Sequence, residues 1–208
     1  MCNGVRMAVA VFVCMAAAGM AFVQAAPDAA TQKVLDSVTA AIKGNAKIQE
    51  KAKTFALEKM LPMCTNEIFV KETEAQNAKN VTLDEIKKID DQWQKAEEEL
   101  PIQKEKLNNT CAQTCKEFGK ATPAVAELFV MDNQGANVGQ MNLTSDYWQG
   151  DEPKWKNSYN GGTGGVDAGD LKFDKSCNAE TQQISLPIVA KDGKVVGSFC
   201  MGIVVSKL

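Results

Sequence analysis

Between Ser145 and Trp155, the carboxylates Asp146, Asp151 and Glu152 are interleaved with the rings of Tyr147, Trp148 and Trp155. Acidic groups beside aromatic faces suit a cationic guest, held by ion pairing and cation–π attraction in a mostly apolar hollow. The rest of the composition points the same way. Arg6 is the only arginine and there is no histidine, so the planar bidentate clamp for a carboxylate guest cannot be built from the body of the chain. An architectural reading fits the same residues: Asp146 caps a short helix, the rings fill a core, and Asp151 and Glu152 sit near a helix N-terminus.

The missing histidine excludes Ser-His and Cys-His hydrolase chemistry, and no Ser/Lys spacing singles itself out, so no catalytic residue is assigned. Covalent haem is excluded because there is no CxxCH, and four-thiolate zinc lacks its CxxC spacing. Clustered carboxylates near the Gly161–Gly165 run could hold calcium, but Asp167, Asp170 and Asp174 lack the regular Asp-x-Asp-x-Asp-Gly spacing. No cofactor is expected. Nucleic acid is excluded as a partner by the near absence of arginine and the net charge of -3.

The N-terminus carries Arg6, an Ala/Val-rich run from Ala8 to Val23, and Val23-Gln24-Ala25 followed by Ala26-Pro27. This order reads as a secretory signal peptide cut near Ala25. A retained anchor is the alternative, disfavoured because the run is short and dominated by weakly hydrophobic alanine. The expected location is periplasmic or secreted, and an oxidising compartment makes structural disulfides the expected fate of Cys64, Cys111, Cys115, Cys177 and Cys200. Their number is odd and their pairing stays open. Cys111 and Cys115 lie on one face of a helix, where a bridge is awkward.

Those residues need elements to place them. Apolar residues at spacings of three and four from Ala30 to about Met60 predict one long amphipathic helix, ended by Leu61-Pro62. A shorter helix is expected over Asn66 to Asn77. Thr82-Leu83-Asp84-Glu85 has the order of a capping box, and Pro101 kinks or restarts the helix that follows, which runs to about Phe118. After Thr122-Pro123 strands are predicted over Val125–Met131, Ala136–Asn142, Asp167–Asp174, Thr181–Ala190 and Lys194–Val205. Asp132-Asn133-Gln134-Gly135 forms a turn, a loop and short helix cover Ser145–Tyr159, and Asp192-Gly193 joins the last two strands. The expected fold class is α+β, a mainly antiparallel five-stranded sheet with the long N-terminal helix on one face. The chain divides into a signal peptide (1–25), a helical part (26–121) and a sheet part with a ligand pocket (122–208).

Several segments resemble the Cache (PDC) sensor domains of bacteria. They are Leu128–Asp132, Gly135–Val138, Thr144–Glu152 with Lys154-Trp155, Ser185–Ile188, Val195–Gly197, and upstream Ala75–Lys79 with Asp84–Ile86 and Trp93. The resemblance implies a PAS-like extracytoplasmic domain, not an enzyme, with a small ligand such as an amine, amino acid or carboxylate between the sheet and the segment crossing it. On this reading Asp146, Tyr147, Trp148, Gln149, Asp151, Glu152 and Trp155 form the ligand site, and the domain is expected to be a stand-alone version that acts through a partner, such as a membrane-bound signalling protein, or binds its ligand in solution. The alternative is an interaction protein that forms a homodimer through its N-terminal helices.

Overall fold

The computed structural model describes residues 28–174 and 178–208. The signal peptide with its Ala25 cut and Cys177 lie outside the described residues. Helix α1 (Ala29–Gly44) starts where the Asp28 carboxylate accepts from Thr31 N at 2.8 Å. The single helix expected to Met60 is instead broken at Asn45. Its side chain accepts from Lys47 N at 2.9 Å and turns the backbone out of the helix. The chain resumes as α2 (Glu50–Phe55), loosens into a π turn over Ala56–Met60 and tightens into a 3₁₀ turn over Leu61–Thr65, with Pro62 in its first turn.

Helix α3 (Glu67–Asn77) is capped by Asn66, and α4 (Leu83–Lys95) by the Thr82/Glu85 capping box predicted for it. Pro101 opens α5 (Pro101–Asn108), and Asn109 caps α6 (Thr110–Ala121). A proline at the first helical position fits because its missing N–H would have had no partner there.

Among the described residues six strands rather than five follow: β1 (Val125–Met131), β2 (Asn137–Gln140), β3 (Asp167–Ala168), β4 (Lys172–Asp174), β5 (Ala179–Val189) and β6 (Val195–Val204). The expected strand over 167–174 is interrupted around Gly169, so β3 and β4 pair with different halves of β5. All pairings are antiparallel, in the order β2-β1-β6-β5-β3 with β4 beside β5, which makes the chain an α+β protein. Helix α7 (Pro153–Tyr159) lies between β2 and β3 in sequence.

Successive strand side chains alternate between faces, and paired residues share one. Leu128, Val130, Phe199, Met201, Ile203, Ile184, Leu186 and Ile188 therefore form one apolar face, buried with Val38, Ile42, Phe55, Met60 and Phe69 from the helices. The opposite face reads differently. In register across the sheet it carries Gln140, Phe129, Cys200, Ser185 and Asp167, flanked by Asn137, Met131, Ser198 and Pro187. No helix among the described residues is long and apolar enough to cross a membrane.

Candidate functional site

The polar face is roofed by residues 144–159. Helix α7 packs on β5 and β6. Trp155 lies among Phe129, Met131 and Cys200 and donates from its indole N–H to Asp132 O at 2.9 Å. Its ring stacks on Tyr159, centroids 5.2 Å apart. The Trp148 indole donates to Gln134 O at 2.7 Å, and Gln149 N donates to Gly135 O at 2.8 Å. The roof thus hangs on the β1–β2 turn. That turn is tight because the Asp132 carboxylate accepts from Gln134 N and Ala136 N, and Gly135 has φ +87°. A side chain at Gly135 would also come within 2.5 Å of the Gly150 backbone, so the roof touches the turn at a contact between glycines.

Two further clamps come from the helical layer. Asp90 on α4 accepts from both Tyr147 N (2.8 Å) and Trp148 N (3.0 Å). On α3, Gln76 donates to the Asp132 carboxylate at 2.9 Å and accepts from the buried Lys106 ammonium at 2.7 Å. Burial raises the Asp132 pKa despite these donors.

The predicted residues fall into three groups. Tyr147 and Gln149 are buried. Tyr147 belongs to a small core with Ile86, Trp93 and Ala136, its ring 5.5 Å from that of Trp93, and burial pushes its hydroxyl pKa up. Trp148 and Trp155 are half-buried anchors. The carboxylates sit furthest out: Asp146 accepts from Ser145 Oγ at 2.5 Å, Glu152 pairs with Lys154 at 3.0 Å, and Asp151 is exposed. The cation over Trp148 is the protein's own Lys87, 4.8 Å from the ring.

Sequence reasoning missed the residues beneath the roof. Lys154 sets its ammonium 5.5 Å from the Phe129 ring centroid. Burial opposes that charge, but Cys200, Glu152 and Glu127 around it hold its pKa above the usual lysine range. Asn137, Gln140 and Ser198 are fully buried on the face, and each keeps a side-chain polar atom without a partner. At the lower end of the face a hollow of about 200 Å³ opens between Gln183, which donates to Glu127 at 2.7 Å, and the loop around Gly169.

The cysteines depart from expectation. Cys64, Cys111, Cys115 and Cys200 are buried free thiols, joined by no disulfide. Cys200 lies on the polar face opposite Ser185 and Phe129, with the sheet between it and the other three. Cys111 and Cys115 contact each other along one helix face, where the helix keeps them from bridging. Burial raises the thiol pKa of Cys64, and it pushes that of Cys200 up to about 12.

No family model matches the chain, and no curated protein does. Similarity is found among solved structures instead. The sensor domain of the Vibrio cholerae histidine kinase DctB matches with a TM-score of 0.44 at 12% identity, over 85% of this chain and 55% of that one. The ligand-binding domain of the Campylobacter jejuni chemoreceptor Tlp3, in complex with 4-methylisoleucine, matches with a TM-score of 0.37 at 16% identity, over 85% and 60%. That of the Pseudomonas aeruginosa amino acid chemoreceptor PctC, in complex with GABA, gives 0.31 at 9% identity, over 70% and 60%. The chain spans a little over half the length of these structures.

Proposed function

We propose that this chain is an exported sensory module of the Cache type. It holds a small, amine- or amino-acid-like molecule between the polar face of its sheet and the 144–159 roof, and it acts through a membrane-bound signalling partner. The observation that carries this reading is the contrast between the two faces. Packing accounts for nearly all of the helix face, where the buried polar side chains are Gln182, which donates to Lys47 O and Gly169 O, and Thr73 of α3. It does not account for Asn137, Gln140, Ser185 and Ser198, all fully buried beside Phe129 on the other, because burying a polar group without a partner costs about 1–3 kcal/mol. A face that carries several such groups under a hydrogen-bonded roof is built to meet polar atoms of something else.

In this arrangement Gln149 and Trp155 belong to the roof's inner surface, and Tyr147 packs the roof against α4. Trp148 fastens it, and Asp146, Asp151 and Glu152 form an acidic rim that favours the approach of a cation. The test is a thermal-shift screen of the full chain against amines, amino acids and short carboxylates. A ligand present at a hundred times its dissociation constant stabilises by about 2.7 kcal/mol, and Trp148→Ala should reduce its effect by loosening the roof. If no compound in these classes raises the melting temperature, the reading is wrong.

A further inference from the structure

We infer that three buried amides, Asn137, Gln140 and Gln149, form the recognition point for the ligand's polar end, and that this end is a primary ammonium. The inference rests on the reading of the roofed face as a binding site and assigns its charge class to specific atoms. Asn137 and Gln149 converge with Thr144 on one backbone oxygen, and Gln140 bonds to both Asn137 and Thr144. Asp146 O accepts from Asn137 Nδ2 at 3.1 Å, from Gln149 Nε2 at 2.9 Å and from Thr144 Oγ1 at 2.7 Å. A carbonyl oxygen can only accept, so both amides must turn their nitrogens toward it. That fixes the remaining atoms. Asn137 Oδ1 and Gln149 Oε1 are buried acceptors with no donor. Gln140 Oε1 accepts from Asn137 Nδ2 at 3.1 Å, which leaves Gln140 Nε2 as a buried donor with no acceptor.

Two orphan acceptors beside one orphan donor define a guest rich in N–H, with an oxygen next to it. Local charge selects the same guest. Gln140 sits directly across from Phe129 in register, and Lys154 stands over that ring. Lys154 is already paired with Glu152, and Glu127 stands two residues from Phe129 along β1 on the same face. Two carboxylates against one ammonium favour a cation. An ammonium can donate to the oxygens of Asn137 and Gln149, and Gln140 Nε2 can donate to a carboxylate on the neighbouring carbon when the guest is an amino acid.

The test uses the full chain and three matched series running from the glycine to the leucine skeleton: each amino acid, its decarboxylated amine and its deaminated acid. Amines and amino acids should bind, and the acids should not. Gln149→Met keeps the side chain's length and removes one orphan acceptor. It should weaken both binding series about 10- to 100-fold, the range for a hydrogen bond to a charged group, with only a small fall in the melting temperature of the unliganded protein, because Asp146 O loses the Gln149 donor but keeps those of Asn137 and Thr144. Gln140→Met should weaken the amino acids and spare the bare amines, a selectivity that general damage to the fold would not produce. Acids binding as well as amines, or amine binding indifferent to Gln149→Met, would overturn the inference and show that the trio holds water alone, leaving the binding-module reading in place. Failure of every series against the wild type would remove both.

Discussion

Asp90 is an exposed-side residue of α4 with an inward task. One of its oxygens accepts from the backbone N–H of Tyr147 and of Trp148, and the other accepts from Gln94 Nε2 at 2.8 Å. Replacing it by alanine removes two charge-assisted bonds and leaves two N–H groups beside a residue that is 5% exposed. Hydrogen bonds to charged groups contribute about 1.5–3 kcal/mol each. Asp90 is itself half-buried, so water can replace part of the loss, and the expected destabilisation for Asp90→Ala is about 2–4 kcal/mol. For a domain of this size that lowers the melting temperature by roughly 5–15 °C. Asp90→Asn keeps an acceptor oxygen and should lose only about 1 kcal/mol. Urea unfolding followed by tryptophan fluorescence measures both, since Trp93 and Trp148 flank the clamp. An alanine variant within 0.5 kcal/mol of wild type would refute the idea that α4 holds the roof. Equal damage from asparagine and alanine would show that charge, not acceptor geometry, is what matters.

Removing the orphan hydroxyl of Ser198 with Ser198→Ala should leave stability unchanged or raise it by about 1 kcal/mol, read from the denaturation midpoint. Cys64, Cys111, Cys115 and Cys200 should resist alkylation at neutral pH until the protein unfolds, because all four are buried and burial also raises the thiol pKa of Cys64 and Cys200. Peptide mapping by mass spectrometry after timed labelling checks this, and early modification of any of the four would contradict it. The third expectation concerns pH. Burial raises the folded pKa of Asp132, so folding favours its protonated form. Its contribution to stability is fully present below about pH 4, the unfolded value, and is lost as pH rises through the folded pKa. The stability difference between Asp132→Asn and wild type should therefore shift in the variant's favour across that window and then level off, which equilibrium unfolding at a series of pH values will show.

Much of the architecture was legible because it rests on local chemistry. The Thr82–Glu85 capping box, the Pro101 restart and the Asp192-Gly193 turn are short-range signals, and each element starts or bends where they stand. The break at Asn45 was hidden by the apolar spacing, which continues through Ala46 and Ile48 as though the helix did; the asparagine's bond to its own downstream backbone decided otherwise. The roof segment was found from its aromatic and acidic residues, but the outer half of that pattern drew attention away from what lies beneath. A signal for the inner half was present: in Gln183-Ile184-Ser185-Leu186 and Ser198-Phe199-Cys200-Met201 small or polar residues alternate with large apolar ones, which marks one face as unlike the other. Asp90 carried no such signal, because Tyr147 and Trp148 lie far from it in sequence, and Asn137 and Gln140 carried none because their bonds to each other, Thr144 and Asp146 depend on how the chain folds back after β2. The disulfide expectation failed for a related reason. Cysteine count and compartment say nothing about which side of a sheet a thiol occupies, and the sheet separates Cys200 from the other three.

The place of β6 governs the order in which this protein can assemble. It is paired on both sides, with β5 through a tight hairpin and with β1 across a long stretch of chain, Val125 meeting Ile203 and Met131 meeting Ser198. The hairpin can form quickly from neighbouring residues, whereas β1, already paired with β2, must wait for a second partner made far later. Until β6 arrives, Leu128 and Val130 have no neighbour on that side and the helices have only half a sheet to cover. Synthesis therefore leaves this chain open for most of its length.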